Sequence, residues 1–170
     1  MEPQQLSEEL LDKLLREARD LTRARAGTIY LRHGNELRFA IAQNDDLATR
    51  FGEARGAQLI TRSPLESSER SIASYVALTR ATVNIEDAYR IPAFKPYSFN
   101  RRFDIQTGFR TKSMLVMPLR FLPEAAYGVV QLINATNDRG EVIPFDPRFE
   151  AMVEDLFRRP FEKRVPSSVA

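Results

Sequence analysis

The chain has 170 residues, 43% hydrophobic and 28% charged, with 25 basic and 23 acidic side chains for a net charge of +2. A chain of this length buries roughly 70% of its unfolded surface, so its core needs no staple, and a single globular domain accommodates it. The absence of cysteine excludes disulfides, thiolate metal sites, thioether-attached chromophores and cysteine nucleophiles.

The basic residues are scattered, densest at "RRFD" and "FRRPFEKR". Without a concentrated basic patch interleaved with aromatics, no nucleic-acid partner is expected. No apolar run reaches the roughly 18 residues of a membrane span, so no membrane partner is expected either. The opening "MEPQQLSEEL" is polar and acidic, unlike a signal peptide, and a cytoplasmic location is expected.

In "LSEELLDKLLREARDLTRARA", Leu6, Leu10, Leu14 and Leu21 form one stripe, flanked by Leu11, Leu15 and Ala18, which predicts an amphipathic helix. Ser7 is its N-cap, Glu8 and Glu9 complement its positive end, and Leu6 with Leu11 makes a hydrophobic staple. Gly27 is expected to stop it. "TIYLR", the turn "HGN" and "ELRFAIAQ" read as a hairpin, with Leu37, Phe39 and Ile41 on one face. His33, the only histidine, falls in the turn, with no partners for a metal or catalytic role.

"NDDLATRFGEARG" reads as a polar connection with one helical turn, and "AQLITR" as a short strand. "SERSIASYVALTR" reads as a helix capped by Ser68 or Ser71, with Ile72, Val76 and Leu78 inward. "ATVNIEDAYR" is extended from Thr82 to Ile85 and then turns. "IPAFKPYSFNRRFDIQTG" is loop with a short helix, since Pro92 and Pro96 disfavour a long one. Loops of this length in compact domains are often functional. "SMLVMPLRF" and "YGVVQLINA" pair as a hairpin through "LPEAAYG", with Pro118 at a bulge or an edge. In "PFDPRFEAMVEDLFRR", Asp146 caps a helix, Pro147 opens it, Phe149, Met152, Val153 and Phe157 make its apolar stripe, and Pro160 ends it. This order predicts an α+β domain with a mostly antiparallel sheet. Its parts are an N-terminal amphipathic helix over residues 1–23, a core over 24–159, and a flexible tail or truncated linker over 160–170.

The blocks "SIASYVALTRATVNIEDAY", "FDIQTGFRTKSMLVMPL" and "GVVQLINATN", followed by "FDPRFE", resemble successive parts of a GAF domain, most of all those of cyclic-nucleotide phosphodiesterases and adenylate cyclases. The resemblance runs from about Ala24 to Phe157. It implies a central antiparallel sheet of about six strands, terminal helices packed on one face and a ligand pocket on the other. The helix beginning "SIAS" and the loop before "TGFRT" would roof that pocket.

Carried over position by position, the resemblance puts Ile72 and Ala73 at a helix start near a phosphate and ribose. It puts Asp104, Thr107 and Thr111 on the roof, and Thr28 and Gln131 in the pocket floor. A helix amino end suits a phosphodiester. Asp104 and Gln131 suit a purine's polar edge, and Tyr97, Phe99 and Phe103 suit a shield over the base. Lys112 and Ser113 are expected to point outward. The family's Asn-Lys…Phe…Asp-Glu motif is matched at Asn134, Phe145 and Glu150. Ala135 replaces its lysine and Phe149 its aspartate, so an apolar pair stands where the family has a salt bridge. Ala42, Gln43 and Asn44 occupy the place of the family's Phe-Asp pair.

Two functional readings stand. The first is a regulatory small-molecule sensor in signal transduction, with a cyclic nucleotide as leading ligand. It would form a homodimer through its first and last helices, coupled to an output domain or to an effector in trans. The second is a degenerate GAF domain, a dimerisation or protein-interaction scaffold without ligand. Under it Thr107 and Thr111 cap backbone groups, Asp104 pairs with Arg101 or Arg102 at the surface, and Gln131 is a plain sheet residue. Neither includes catalysis, a catalytic residue, a metal or a bound cofactor, because the reductases of this fold work through cysteines.

Overall fold

The computed structural model describes residues 7–62, 70–121 and 126–162. Helix α1 (Glu8–Thr22) begins where Ser7 accepts a hydrogen bond from the Leu10 N–H, and it ends at Arg23 in the left-handed region. Leu6, the proposed staple residue, lies outside the described residues. The chain passes directly into β1 (Ala24–His33), so Gly27 does not stop the helix but sits inside the strand. Its role is close approach: a Cβ there would lie 2.8 Å from Leu15 Cδ1. The turn at Gly34, φ 63°, leads to β2 (Glu36–Asn44).

Pairing of β1 with β2 skips Ala40, because Ile29 faces Ile41 while Tyr30 faces Phe39. This bulge corrects the expected single face. Leu37 and Phe39 pack on one side of the sheet and Ile41 on the other. Helices α2 (Asp45–Phe51) and α3 (Glu53–Thr61) follow. The "AQLITR" segment is therefore helical rather than a strand. An acidic first turn and the Asn44 cap set α2, and α3 packs against β2.

Helix α4 (Ile72–Thr79) is capped by Ser71, whose hydroxyl accepts from the Ser74 N–H; Ser68 lies outside the described residues. Ile72 and Val76 are buried, but Leu78 is 74% exposed and does not face inward. Then come β3 (Val83–Ile85), α5 (Arg102–Thr107), β4 (Met114–Phe121), β5 (Ala126–Thr136), β6 (Val142–Ile143) and α6 (Phe149–Arg158). β6 has no counterpart in the sequence reading. Asp146 organises the turn before α6 by accepting from the Arg148 N–H, and the helix itself opens at Phe149 rather than Pro147. Phe161, expected in the tail, is buried in the core.

The sheet is antiparallel, in the order β2-β1-β5-β4-β3, with β6 pairing the far end of β5. Pro118 pairs with Val129 beyond the reach of β3, on a stretch of β4 that is a sheet edge, where a missing N–H costs no ladder bond. On the back face, Leu11, Leu14, Leu15 and Ala18 of α1 and Val153 and Phe157 of α6 pack on Ile29, Leu115, Val130 and Leu132. On the front, α4 packs on Tyr30, Val116 and Val129. The back face therefore holds the terminal helices, and the front face is covered by α4, the 91–111 segment and, through Leu47 and Ile60, α2 and α3.

Buried Arg19 ties α1 to the sheet. It donates to Gln43 Oε1 at 2.8 Å, Ala24 O at 3.2 Å and Arg25 O at 3.0 Å, and pairs with Asp45 at 2.6 Å. Gln43 in turn donates to Asp12.

Candidate functional site: a cavity on the front of the sheet

Between the front of the sheet, the amino end of α4 and the segment from Ser98 to Thr111 lies a cavity of about 190 Å³. Period-two alternation builds its floor: Ala26, Thr28 and Tyr30 of β1 and Gln131 and Ile133 of β5 all face it. Thr28 and Gln131 are directly opposed across the β1–β5 ladder. Ser71, Ile72 and Ala73 form one wall. A strand-like bridge between Ser71 and Ser98, with the Ser98 N–H on Arg70 O at 2.9 Å, ties the roof to the start of α4. Phe99, Phe103 and Phe109 supply apolar cover.

Six of the seven predicted ligand residues line this cavity: Thr28, Ile72, Ala73, Asp104, Thr111 and Gln131. Thr107 does not. Its hydroxyl donates to Phe103 O at 2.8 Å and accepts from the Phe109 N–H, closing the carboxyl end of α5.

The six are not equivalent. Asp104 is 4% exposed and its carboxylate is already occupied. One oxygen accepts from the Tyr89 hydroxyl at 2.6 Å and the Thr111 N–H at 2.8 Å, and the other accepts from the Thr111 hydroxyl at 2.9 Å. It forms no surface ion pair with Arg101 or Arg102. It is a latch that holds α5 to the start of the β4 approach. Burial raises the Tyr89 phenol's pKa, as do the hydrogen bond to Asp104 and that carboxylate's charge, against the opposing pull of Arg110 and Arg101. Burial alone raises that of Tyr30.

Thr28 and Gln131, in contrast, carry no side-chain hydrogen bond to the described residues, yet neither has a fully enclosed orphan atom. Their polar atoms open into the cavity.

Asn134 of the family motif sets the far end of the roof. It is buried with φ 60°, accepts from the Lys112 N–H and donates to Arg110 O, both at 2.7 Å. Ser113, expected outside, is fully buried and accepts from the Ala135 N–H; Lys112 is exposed, as expected. Phe145 is buried on the back face, where its carbonyl accepts from Asn84, while Glu150 sits partly exposed in the first turn of α6. Ala135 and Phe149 both join the back core, so an apolar contact region occupies the salt-bridge position.

Tyr97, expected to shield the base, instead packs at a tilt of 54° against Tyr75 outside the lining. Lining residues that the sequence does not mark as ligand contacts include Tyr30, Phe39 and Ile60, and Gln43 and Asn44, at the place of the family's Phe-Asp pair, line the cavity too. Extending the period-two face from Thr28 finds Tyr30; Ile60 follows only once 53–61 is helical.

The GAF domain family model matches residues 7–159. The cGMP-specific 3',5'-cyclic phosphodiesterases of Drosophila sechellia and Drosophila melanogaster are each 30% identical over 157 residues, covering 88% of the chain but 12% of those proteins. The chain thus spans about an eighth of these relatives' length. Among solved structures, the GAF/HD domain protein from Geobacter sulfurreducens superposes with a TM-score of 0.62 at 15% identity, covering 89% of this chain and 87% of that one. The GAF3 domain of a Synechocystis protein in its photoproduct state gives 0.60 at 13% identity, covering 90% of each. Identities this low speak for the fold alone.

Proposed function

The chain belongs to the GAF domain family, and from that premise we propose that it is a regulatory module whose front cavity senses a small molecule. The carrying observation is the pair Thr28 and Gln131: adjacent polar side chains on the cavity floor, without hydrogen bonds to the described residues, beneath an aromatic roof. Such a site offers orientation through a few polar groups and affinity through apolar cover.

A cyclic nucleotide is the leading ligand. Two observations support it: the amino end of α4 at the cavity wall, which suits a phosphodiester, and relatives named for cyclic GMP. Asp104 is spent on the latch, so Gln131 and Thr28 read the base or the ribose. The ligand acts by population shift, favouring the ordered state of the segment from Phe94 to Gly108 over an open one.

Calorimetric titration with cyclic GMP and cyclic AMP tests this. One saturable site is expected, weakened about 5- to 10-fold by Thr28→Val or Gln131→Leu, the worth of one hydrogen bond. No heat from either nucleotide would favour the scaffold reading instead.

The module pairs with a second copy through α1 and α6 and couples to an output domain or effector. Leu14 is buried against its own sheet, so the contact falls to half-buried Leu10 and to Met152, which is 45% exposed. Sedimentation is expected to show a dimer that Leu10→Glu with Met152→Glu converts to monomer; an unchanged mass would remove the dimer.

A further inference from the structure

The outer face of the roof carries a second feature, independent of what fills the cavity. Arg50, Arg101, Arg102 and Arg110 are all exposed and gather around α5. Arg50 donates to Thr107 O at the helix's carboxyl end. Arg101 precedes the helix and Arg102 opens it. Arg101 and Arg110 both lie over the Tyr89 ring, at 4.4 Å and 3.6 Å from its centroid.

Among the described residues none of these four guanidiniums has a carboxylate partner, whereas the cations of α1 and α6 are largely paired. One turn after Arg101 on α5 stands Ile105, 78% exposed, and Phe51, 47% exposed, lies beside Arg50. A cluster of one sign without carboxylate partners, set around protruding apolar tips, is the kind of surface that marks an interaction site.

We propose that this face docks on an anionic lipid surface, the arginines meeting headgroups while Ile105 enters the interfacial zone. Charge complementarity names the sign of the partner. The shape names its kind: Arg101 and Arg110 lie over Tyr89, and Ile105 projects rather than lining a cleft, so the face suits a deformable layer better than a peptide that needs a groove. Lying on a bilayer is distinct from crossing it, and no described helix is long and apolar enough to cross. α5 carries both faces of the device: Phe103 and Asp104 point into the cavity and Arg102 and Ile105 point out of it. Docking and cavity occupancy therefore act on one short element.

The test is co-sedimentation of the full chain with phosphatidylcholine vesicles with and without phosphatidylserine. Binding is expected only with phosphatidylserine and is expected to weaken as salt rises. Arg102→Gln is expected to lower the partition coefficient about 5-fold, equivalent to about 1 kcal/mol for a basic residue near such a surface. Ile105→Ser is expected to lower it as well, and Arg139→Gln, in the β5–β6 turn, to leave it unchanged. All three positions are exposed, and circular dichroism checks that each variant folds. Equal binding to neutral vesicles, no binding at low salt, or insensitivity to both Arg102→Gln and Ile105→Ser would overturn the proposal. In the absence of lipid binding, capture by an acidic protein would make the same face a protein interface.

Discussion

Arg19→Ala is expected to lower the unfolding free energy by about 3–5 kcal/mol, because it leaves several buried acceptors without their donor at roughly 1–3 kcal/mol each. Arg19 is 6% exposed, and its loss strands two backbone carbonyls, Ala24 O and Arg25 O, together with Gln43 Oε1. Asp45 is well solvated and contributes little to the penalty, since its side chain is 66% exposed. Urea unfolding monitored by far-ultraviolet circular dichroism measures the change. Arg19→Met with Gln43→Leu is expected to recover only a small part of it, because it removes Gln43 Oε1 as an unpaired acceptor but leaves Ala24 O and Arg25 O without this donor. A loss below about 1 kcal/mol for Arg19→Ala would mean that water reaches these carbonyls as readily as the guanidinium does.

The second large effect is local. Asp104→Ala removes three hydrogen bonds at once and leaves the Thr111 N–H without an acceptor in a residue that is 2% exposed. A destabilisation of about 2–4 kcal/mol is expected from orphaned buried groups of this kind. It concentrates in the roof, since the sheet and back core make no use of this carboxylate. Amide hydrogen exchange is expected to accelerate at Thr111 and through α5 while β1 and β5 keep their protection. Uniform loss across the sheet would contradict a separable roof; undiminished protection at Thr111 would contradict the latch. Cavity ligand affinity is expected to fall with the same substitution although Asp104 offers a ligand nothing directly.

The fold was largely legible where periodicity is strong. The Leu stripe of α1, the Ser7 and Ser71 caps and the two apolar strands before and after residues 122–125 are local signals, and the architecture they imply is the one observed. Errors arose where tertiary contacts overrode local pattern. Ala57–Arg62 has no clear period, and its packing on β2 decides for helix. The Ala40 bulge splits Phe39 from Ile41, which alternation alone puts together. Gly27 reads as a helix stop, but the helix ends at Arg23 in a conformation disfavoured for arginine, and the glycine answers to Leu15 instead.

The site was legible as a set of positions but not as roles. Thr28, Gln131, Asp104 and Thr111 all reach the cavity, yet which polar atoms are engaged depends on partners distant in sequence, such as Tyr89 for Asp104. Composition and spacing carry no trace of that bond. Thr107 shows the same limit: a hydroxyl four residues after Phe103 on a short helix bonds back to it rather than outward.

The register of β1 against β5 carries one more consequence. Thr28 and Gln131 are opposed on the front, while their neighbours Ile29 and Val130 are opposed in the back core. A slip of β1 by a single residue would swap the two sets, putting hydroxyl into grease and isoleucine into the hollow. The cavity floor and the back core thus hang on one alignment, and no sequence drift that loosens it could spare either.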